Sequence, residues 1–222
     1  LISFHKENSL KKIPKLIAEL KAGKSVALVS DAGMPSICGP GEELIKDALS
    51  YGINIRCIPG PCAALTALVT SGFHSSKFTF EGFLPKKKSE REKILLEISK
   101  YDKTTIIFES PHRLKKLLIE LKKVCGEERE IIVSRELTKQ FEENIGNHIY
   151  EVINYFEGKE ILGEITLVLK GINKTKEKPK FDKFELKEDL NNLINAGLSL
   201  SAASKYLAKK NNLTKSIVYK MY

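Results

Sequence analysis

Residues 30–41 read SDAGMPSICGPG, and they follow directly on a short apolar run, SVALV, at residues 25–29. An acid and several very small residues thus stand where a strand hands the chain to a helix. Leu44, Ile45, Ala48 and Leu49 then mark one apolar face of a helix over residues 42–51. The same rhythm returns with a strand over residues 54–58, a tight turn at Pro59, Gly60 and Pro61, and a small-residue helix over residues 62–71. Upstream, Leu10, Ile13, Leu16, Ile17 and Leu20 recur at helical spacing, with Asn8 or Ser9 as N-cap and Gly23 as stop. Leu1, at the head of an apolar LISF segment, reads as a strand entered midway, with residues expected upstream of it. Strands alternating with helices of this length predict an α/β fold with a parallel sheet covered on both faces.

At residues 80–88 a proline and a lysine cluster interrupt the pattern, and a domain boundary is expected near residue 78. A second α/β layer follows: a helix to about residue 100, a strand over 104–108 and a helix over 111–124. A strand over 130–134, another near 141–145, a helix over 148–156 and a strand over 164–169 complete it. Residues 172–184 lack periodicity and read as a linker. Helices over 187–196, 201–210 and 214–221 come next, punctuated by Gly197 and by Asn211 and Asn212, with Ser199 or Ser201 and Thr214 as natural N-caps. The expected domains are therefore residues 1–78, 79–171 and a small all-α helix-turn-helix module over 185–222.

Composition bounds what such a chain can do. Its 222 residues, 42% hydrophobic and 29% charged, are those of a globular protein. No apolar run approaches the roughly 20 residues that span a bilayer, and no signal peptide is visible, so a cytoplasmic protein is expected. Cys38, Cys57, Cys62 and Cys125 lack metal-ligand spacing and read as reduced core thiols, with no metal site. The net charge is +9, and residues 171–222 carry eleven lysines against five acids. That end faces a polyanion, or else it is simply a solvated surface.

In open α/β sheets, ligands bind where loops leave the carboxyl ends of strands. In the first loop Asp31 can accept hydrogen bonds from a polar ligand, and Gly33 leaves room for close backbone approach; an Asx turn capped by Asp31 reads equally well. The second loop, PGPCAAL at residues 59–65, brings tiny side chains to a helix start, where free amides and the helix dipole favour an anion. Close packing of that helix on a sheet is the simpler alternative. Neither loop has the GxxxxGK[ST] or GxGxxG pattern of nucleotide sites.

Six stretches, SDAGMPSICGPG (30–41), PGPCAALTAL (59–68), FEGFLPKK (80–87), FESPHR (108–113), SRELTK (134–139) and GEITLVL (163–169), stand in the order and spacing of one family's landmarks. The chain resembles the tetrapyrrole-methylase superfamily, within it the branch that methylates the ribose 2′-oxygen of a cytidine in 16S ribosomal RNA. The resemblance covers residues 1–171, and the tail is similar to the helix-turn-helix that follows in many members. It implies two α/β domains, a donor and an acceptor, with S-adenosylmethionine in the cleft between them. It also implies 16S ribosomal RNA or the small ribosomal subunit as partner, and a homodimer.

By motif, the donor site would use Asp31, Ala32, Gly33, Met34, Ala63 and Ala64. Deprotonation of the attacking hydroxyl would fall to Glu109, His112 or Glu136, while Arg113, Arg135 and Lys139 would hold phosphates. Against these roles stand structural ones: ion pairs of Glu109 with Arg113 or Arg135 with Glu136, and a helix cap at His112. Two departures stand out. The family's opening strand with its glycine-proline loop, and a second strand ending in an acidic motif, do not precede Leu1, so the donor domain reads as N-terminally truncated and its sheet as lacking a central strand. Met34 replaces the family's usual threonine. Two other functions fit less well: a tetrapyrrole (precorrin-type) methyltransferase, which would not need a basic tail, and a non-catalytic RNA-binding protein.

Overall fold

The run Ile165–Leu169 is buried at every position and occupies the middle of a five-stranded sheet. In the computed structural model, which describes residues 1–172, 183–211 and 213–222, the strands are β1 (Phe78–Phe83), β2 (Thr104–Glu109), β3 (Glu130–Arg135), β4 (Glu143–His148) and β5 (Ile165–Leu169). Their order is β1-β2-β5-β3-β4. Only β1 and β2 pair in parallel; β5 runs antiparallel to both β2 and β3, and β3 antiparallel to β4. The sheet is therefore mixed, not parallel as the alternating pattern suggests, because β5 enters between two strands of the opposite direction.

Every strand lies at or beyond residue 78, and this corrects the reading of the first third. Residues 1–4, 25–29 and 54–58 join no ladder among the described residues. A strand needs neighbours to satisfy its backbone donors and acceptors, and here Val29 and Ile58 remain 75% and 74% exposed. The helices of that third do form. Helix α1 (Ser9–Lys21) packs on α2 (Glu42–Ser50) through Ile13, Leu16, Ile17, Leu44 and Ala48. Gly23, at φ 84, ends α1 as its spacing predicts, with the Lys24 amide donating to the Glu19 carbonyl. Asn8 occupies the N-cap position but accepts from the His5 amide rather than capping the helix.

The two sheet faces are covered differently. Ile107, Val133, Leu167 and Leu169 meet α4 (Lys88–Ile98), α5 (Pro111–Cys125) and α6 (Ile149–Phe156) in the main core, where Leu95, Ile98, Leu117, Leu121 and Val152 are essentially inaccessible. Each such side chain contributes about 1.5–3 kcal/mol by leaving water. Ile106 and Val168 point the other way, as alternation along a strand requires, and meet Ala64, Ala67 and Leu68 of α3 (Ala63–Ser71).

Residues 173–222 cluster separately from residues 1–172. Most of the expected linker, and Asn212, lie outside the described residues. Helices α7 (Lys183–Asn195), α8 (Leu200–Lys210) and α9 (Lys215–Tyr219) enclose Leu186, Leu190, Ala203, Leu207 and Val218. Ser199 caps α8 by accepting from the Ala202 amide at 3.2 Å, whereas Thr214 precedes α9 without a side-chain bond. The four cysteines are free thiols, but Cys38 and Cys57 are exposed rather than in the core. No helix among the described residues is long and apolar enough to cross a membrane.

Candidate functional site

The two small-residue loops lie close to one another. A β-carbon added to Gly33, which sits at φ +77, would lie 3.4 Å from the Pro61 carbonyl oxygen. The Ser30 hydroxyl, not the Asp31 carboxylate, makes the local turn by accepting from the Ala32 amide at 3.2 Å. Asp31 is exposed, and its carboxylate takes no hydrogen bond or ion pair among the described residues. Ala32 is exposed as well, while Gly33 and Met34 are half-buried. Further along, Ser36 and Cys38 hold φ values of 68 and 61, a left-handed conformation that costs a non-glycine residue about 1–3 kcal/mol. The Ser36 hydroxyl is buried without a partner, and a side chain at Gly41 would collide with it.

The second loop ends at Cys62, which precedes α3 in extended conformation with no side-chain cap. The first amides of α3 are consequently unpaired. Ala63 is exposed beside them, whereas Ala64 is buried against the sheet. The loop thus packs at Ala64, as the simpler alternative expects, and leaves Ala63 exposed beside the free amides.

Strand β1 joins these loops to the rest of the sheet. Its register on β2 slips between Phe80 and Gly82, a bulge with Gly82 at φ +60. A β-carbon at Gly82 would stand 2.7 Å from the Cys38 sulfur. Although much of Cys38 faces solvent, burial of its sulfur pushes the thiol pKa up, against a bond with the Phe83 backbone that lowers it. The first loop is therefore seated on the carboxyl end of β1.

The candidate residues of the sheet lie at its corresponding edge. Glu109 and Arg135 both pair with Ile165, from opposite sides. With strands about 4.8 Å apart, their backbones are about 10 Å from each other. Directly opposed residues share a face, so both point to the side of α4–α6, away from α3. Glu109 is fully buried: Oε1 lies 3.2 Å from Arg113 Nε and accepts from the Ser110 amide at 2.8 Å, and Oε2 lies 3.6 Å from Arg91 Nη1. Arg113 also donates to the Leu84 carbonyl at 2.8 Å. Arg135 pairs with Glu143 at 2.9 Å and lines a concavity of about 200 Å³ with Tyr155, Lys159 and Leu162.

Glu136, at φ 51, sits past the edge, where Oε1 accepts from the Glu164 amide at 2.7 Å and from Lys139 Nζ at 2.9 Å. The Glu164 amide first, and then Lys139, hold its carboxyl below the usual carboxylate range. Lys139 bridges Glu136 and Glu164 and is still 47% exposed. His112, in the first turn of α5, is exposed. The structure thus leaves Asp31, Ala32 and Ala63 exposed on two neighbouring loops, puts His112 and Lys139 beyond the sheet edge, and ties Glu109, Arg113, Arg135 and Glu136 into ion pairs.

Arg91, Gly82 with Cys38, and a buried polar row on the α3 face were not singled out by the sequence. In that row Ser134 Oγ donates to Asn144 Oδ1 at 2.6 Å beside Thr166. Arg91 carried a usable signal, since it precedes the core residues Leu95 and Ile98 by four and seven positions and so shares their helix face.

The model of the family "Tetrapyrrole (Corrin/Porphyrin) Methylases" matches residues 3–152. The Bacillus subtilis (strain 168) protein named ribosomal RNA small subunit methyltransferase I is 40% identical over 225 residues, spanning 100% of this chain and 77% of that protein. The protein of the same name from Thermotoga maritima is 44% identical over 171 residues, or 77% and 76% of the two chains. Among solved structures, the methyltransferase CobJ superposes with a TM-score of 0.56 at 19% identity, covering 73% of this chain and 71% of that one. Thermus thermophilus uroporphyrin-III C-methyltransferase, complexed with S-adenyl homocysteine, gives 0.51 at 12% identity and 73% of each chain. Both likenesses are of fold alone, but with a family model over most of the chain and relatives aligned along its whole length, the chain belongs to the tetrapyrrole (corrin/porphyrin) methylase family, in the branch of the ribosomal RNA small subunit methyltransferases I.

Proposed function

We propose that the chain transfers a methyl group from S-adenosylmethionine to the ribose 2′-oxygen of a cytidine in 16S ribosomal RNA. The observation that supports this reading is the proximity of the two small-residue loops, where a β-carbon on Gly33 would come within van der Waals reach of the Pro61 carbonyl. Relatives named ribosomal RNA small subunit methyltransferase I favour RNA over a tetrapyrrole as the acceptor.

The residues present fit the donor. Glycine at residue 33 takes the left-handed φ of +77 that the loop needs and leaves its face toward Pro61 without a side chain, the unpaired Asp31 carboxylate can receive polar or cationic parts of a ligand, and the uncapped start of α3 offers amides at Ala63 and Ala64. When bound, the donor supplies an electrophilic methyl group on a sulfonium. Asp31, Ala32, Gly33, Met34, Ala63 and Ala64 are assigned to hold it.

On the acceptor side the task is to hold a ribose hydroxyl in line and remove its proton. Glu109 is buried between Arg91 and Arg113, out of reach of a hydroxyl, and Glu136 is held ionised by the Glu164 amide and Lys139, so each braces its loop instead. His112 is exposed and is assigned the proton, with Lys139 and Arg135 receiving phosphates. Residues 1–78 act as donor domain and 79–171 as acceptor domain across this cleft. Residues 185–222 act as a helix-turn-helix RNA anchor, and the protein works as a cytoplasmic homodimer.

The test is incubation of the protein with isolated small ribosomal subunits and methyl-labelled S-adenosylmethionine, followed by mass mapping of 16S RNA. One ribose-methylated cytidine is expected, and it should disappear with Asp31→Ala. Label on a base, or none on RNA, refutes the assignment.

A further inference from the structure

Arg91 lies in the first turn of α4, outside the six landmark stretches, and it is only 4% exposed. Its guanidinium reaches two acids on two other elements: Nε to Glu120 Oε2 of α5 at 2.6 Å, and Nη1 to Glu109 Oε2 at the end of β2 at 3.6 Å. The cluster of Arg91, Arg113, Glu109 and Glu120 is formally neutral. It is also imperfectly satisfied, for Arg91 Nη2 and Glu109 Oε2 are buried without a hydrogen bond.

Taking the Arg91–Glu109 pair out of water, with Arg113 and Glu120 half-buried beside it, is a costly way to hold a core together, and apolar packing generally does that job as well or better. What the cluster delivers instead is fixed direction. The Glu109 carboxylate is held so that its other oxygen accepts from the Ser110 amide and faces Arg113 Nε, while Arg113 Nη2 donates to the Leu84 carbonyl. Residues 110–113, and with them His112, are thereby anchored to the chain that follows the Gly82 bulge, on which the Cys38 loop is seated.

We infer that Arg91 is a positioning residue for methyl transfer: through Glu109 and Arg113 it sets the turn carrying His112 in register with the donor loop. The inference deepens the methyl-transfer reading and rests on it. Without Arg91 the cluster carries an uncompensated negative charge, and Arg113 is drawn to Glu109 at the expense of Leu84. A displacement of about 1 Å at such a turn lowers turnover by up to ~100-fold.

The experiment compares Arg91→Met, Arg91→Lys and Glu120→Gln in the full chain. For each, it reads the single-turnover methylation rate on small subunits, the affinity for S-adenosylhomocysteine, and the hydrogen exchange of the Ser110 and Arg113 amides, which donate to Glu109 and to the Ser110 carbonyl. Rates are expressed per S-adenosylhomocysteine-competent protein, so that unfolded material does not count. Arg91→Met should lose ~10- to 100-fold in rate with donor affinity within ~3-fold, Arg91→Lys should recover part of that loss, and both amides should exchange faster in the Met variant. Glu120→Gln, which leaves the Arg91–Glu109 contact in place, should stay within ~3-fold. Equal rates for Arg91→Met and the parent, or equal losses in Arg91→Met and Glu120→Gln, would overturn the inference. A parent protein that binds donor but methylates no RNA would instead sink the underlying assignment, and unchanged exchange of the Ser110 and Arg113 amides in Arg91→Met would still sink the role given to Arg91.

Discussion

Replacing Gly82 by alanine tests whether the first loop really rests on the β1 bulge. Two penalties are expected, and they are separable. At φ +60 a β-carbon meets the backbone in the left-handed region, at a cost of about 1–2 kcal/mol whatever surrounds it. The same carbon stands 2.7 Å from the Cys38 sulfur, closer than side-chain atoms tolerate, and forcing that neighbour to move costs a further 1–3 kcal/mol or so. Cys38→Ala removes the sulfur and leaves the backbone term untouched. The double variant should therefore be more stable than the two single effects predict, by a coupling of about 1–3 kcal/mol.

The measurement is urea denaturation of the parent, both single variants and the double, each with a calorimetric titration of S-adenosylhomocysteine. Gly82→Ala should also weaken donor binding, because the strained Ser36–Cys38 segment of the donor loop must shift with the sulfur. In the double variant that binding should largely return. If the stability changes add within about 0.5 kcal/mol, the contact carries no energy, and the donor loop is not held by the bulge.

Three other outcomes follow from the geometry. Leu117→Ala, at a site with no solvent access in the main core, should cost about 2–5 kcal/mol in chemical denaturation, and a loss under 1 kcal/mol would mean that α5 is not packed as described. Ser199→Ala should remove about 1 kcal/mol from α8 by leaving the Ala202 amide uncapped, read as lost helicity confined to residues 183–222 in hydrogen exchange; spread of the effect into the sheet would contradict the separate clustering of that segment. The carboxyl of Glu136 is held below its ordinary value of 4.5, so its contribution to stability is complete above that pH and fades as pH falls below it through the folded-state value. Glu136→Gln should therefore flatten the acid limb of a stability–pH curve, and parallel limbs for parent and variant would refute the assignment of Glu136 as a loop brace.

How far the residues announce this architecture depends on what each pattern needs in order to be realised. The helices over residues 9–21, 111–125 and 149–156 are legible because their apolar stripes are local and each finds a partner within reach. Strands β2, β3 and β5 are legible because their apolar runs are continuous, as strands buried on both faces must be. The runs at residues 25–29 and 54–58 look equally strand-like, yet a ladder is a property of two segments, and no pairing partner for them lies among the described residues. Strand direction was illegible for the same reason: nothing within Ile165–Leu169 says that its neighbours run the other way. Strand β1 was hidden by Glu81 and Gly82, which look like a loop in the sequence and prove to be a bulge inside a strand.

The candidate site was named by motif and not by geometry, and the reason lies in the two faces of the sheet. Motifs name residues along the chain, whereas a strand sends alternate side chains to opposite sides. Glu109 and Arg135 stand in landmarks as specific as those of the donor loops, but register commits both to the face of α4–α6, while α3 and its open amides occupy the other. A side chain on the covered face meets a ligand on the α3 face only by passing over the carboxyl edge of the sheet. Glu109 is too short and too enclosed to do so; His112 and Lys139, carried by the segments that leave β2 and β3 beyond that edge, are not. Under the proposed function, chemistry at this edge therefore falls to residues past the strand ends, and the charged residues within the strands hold those ends still.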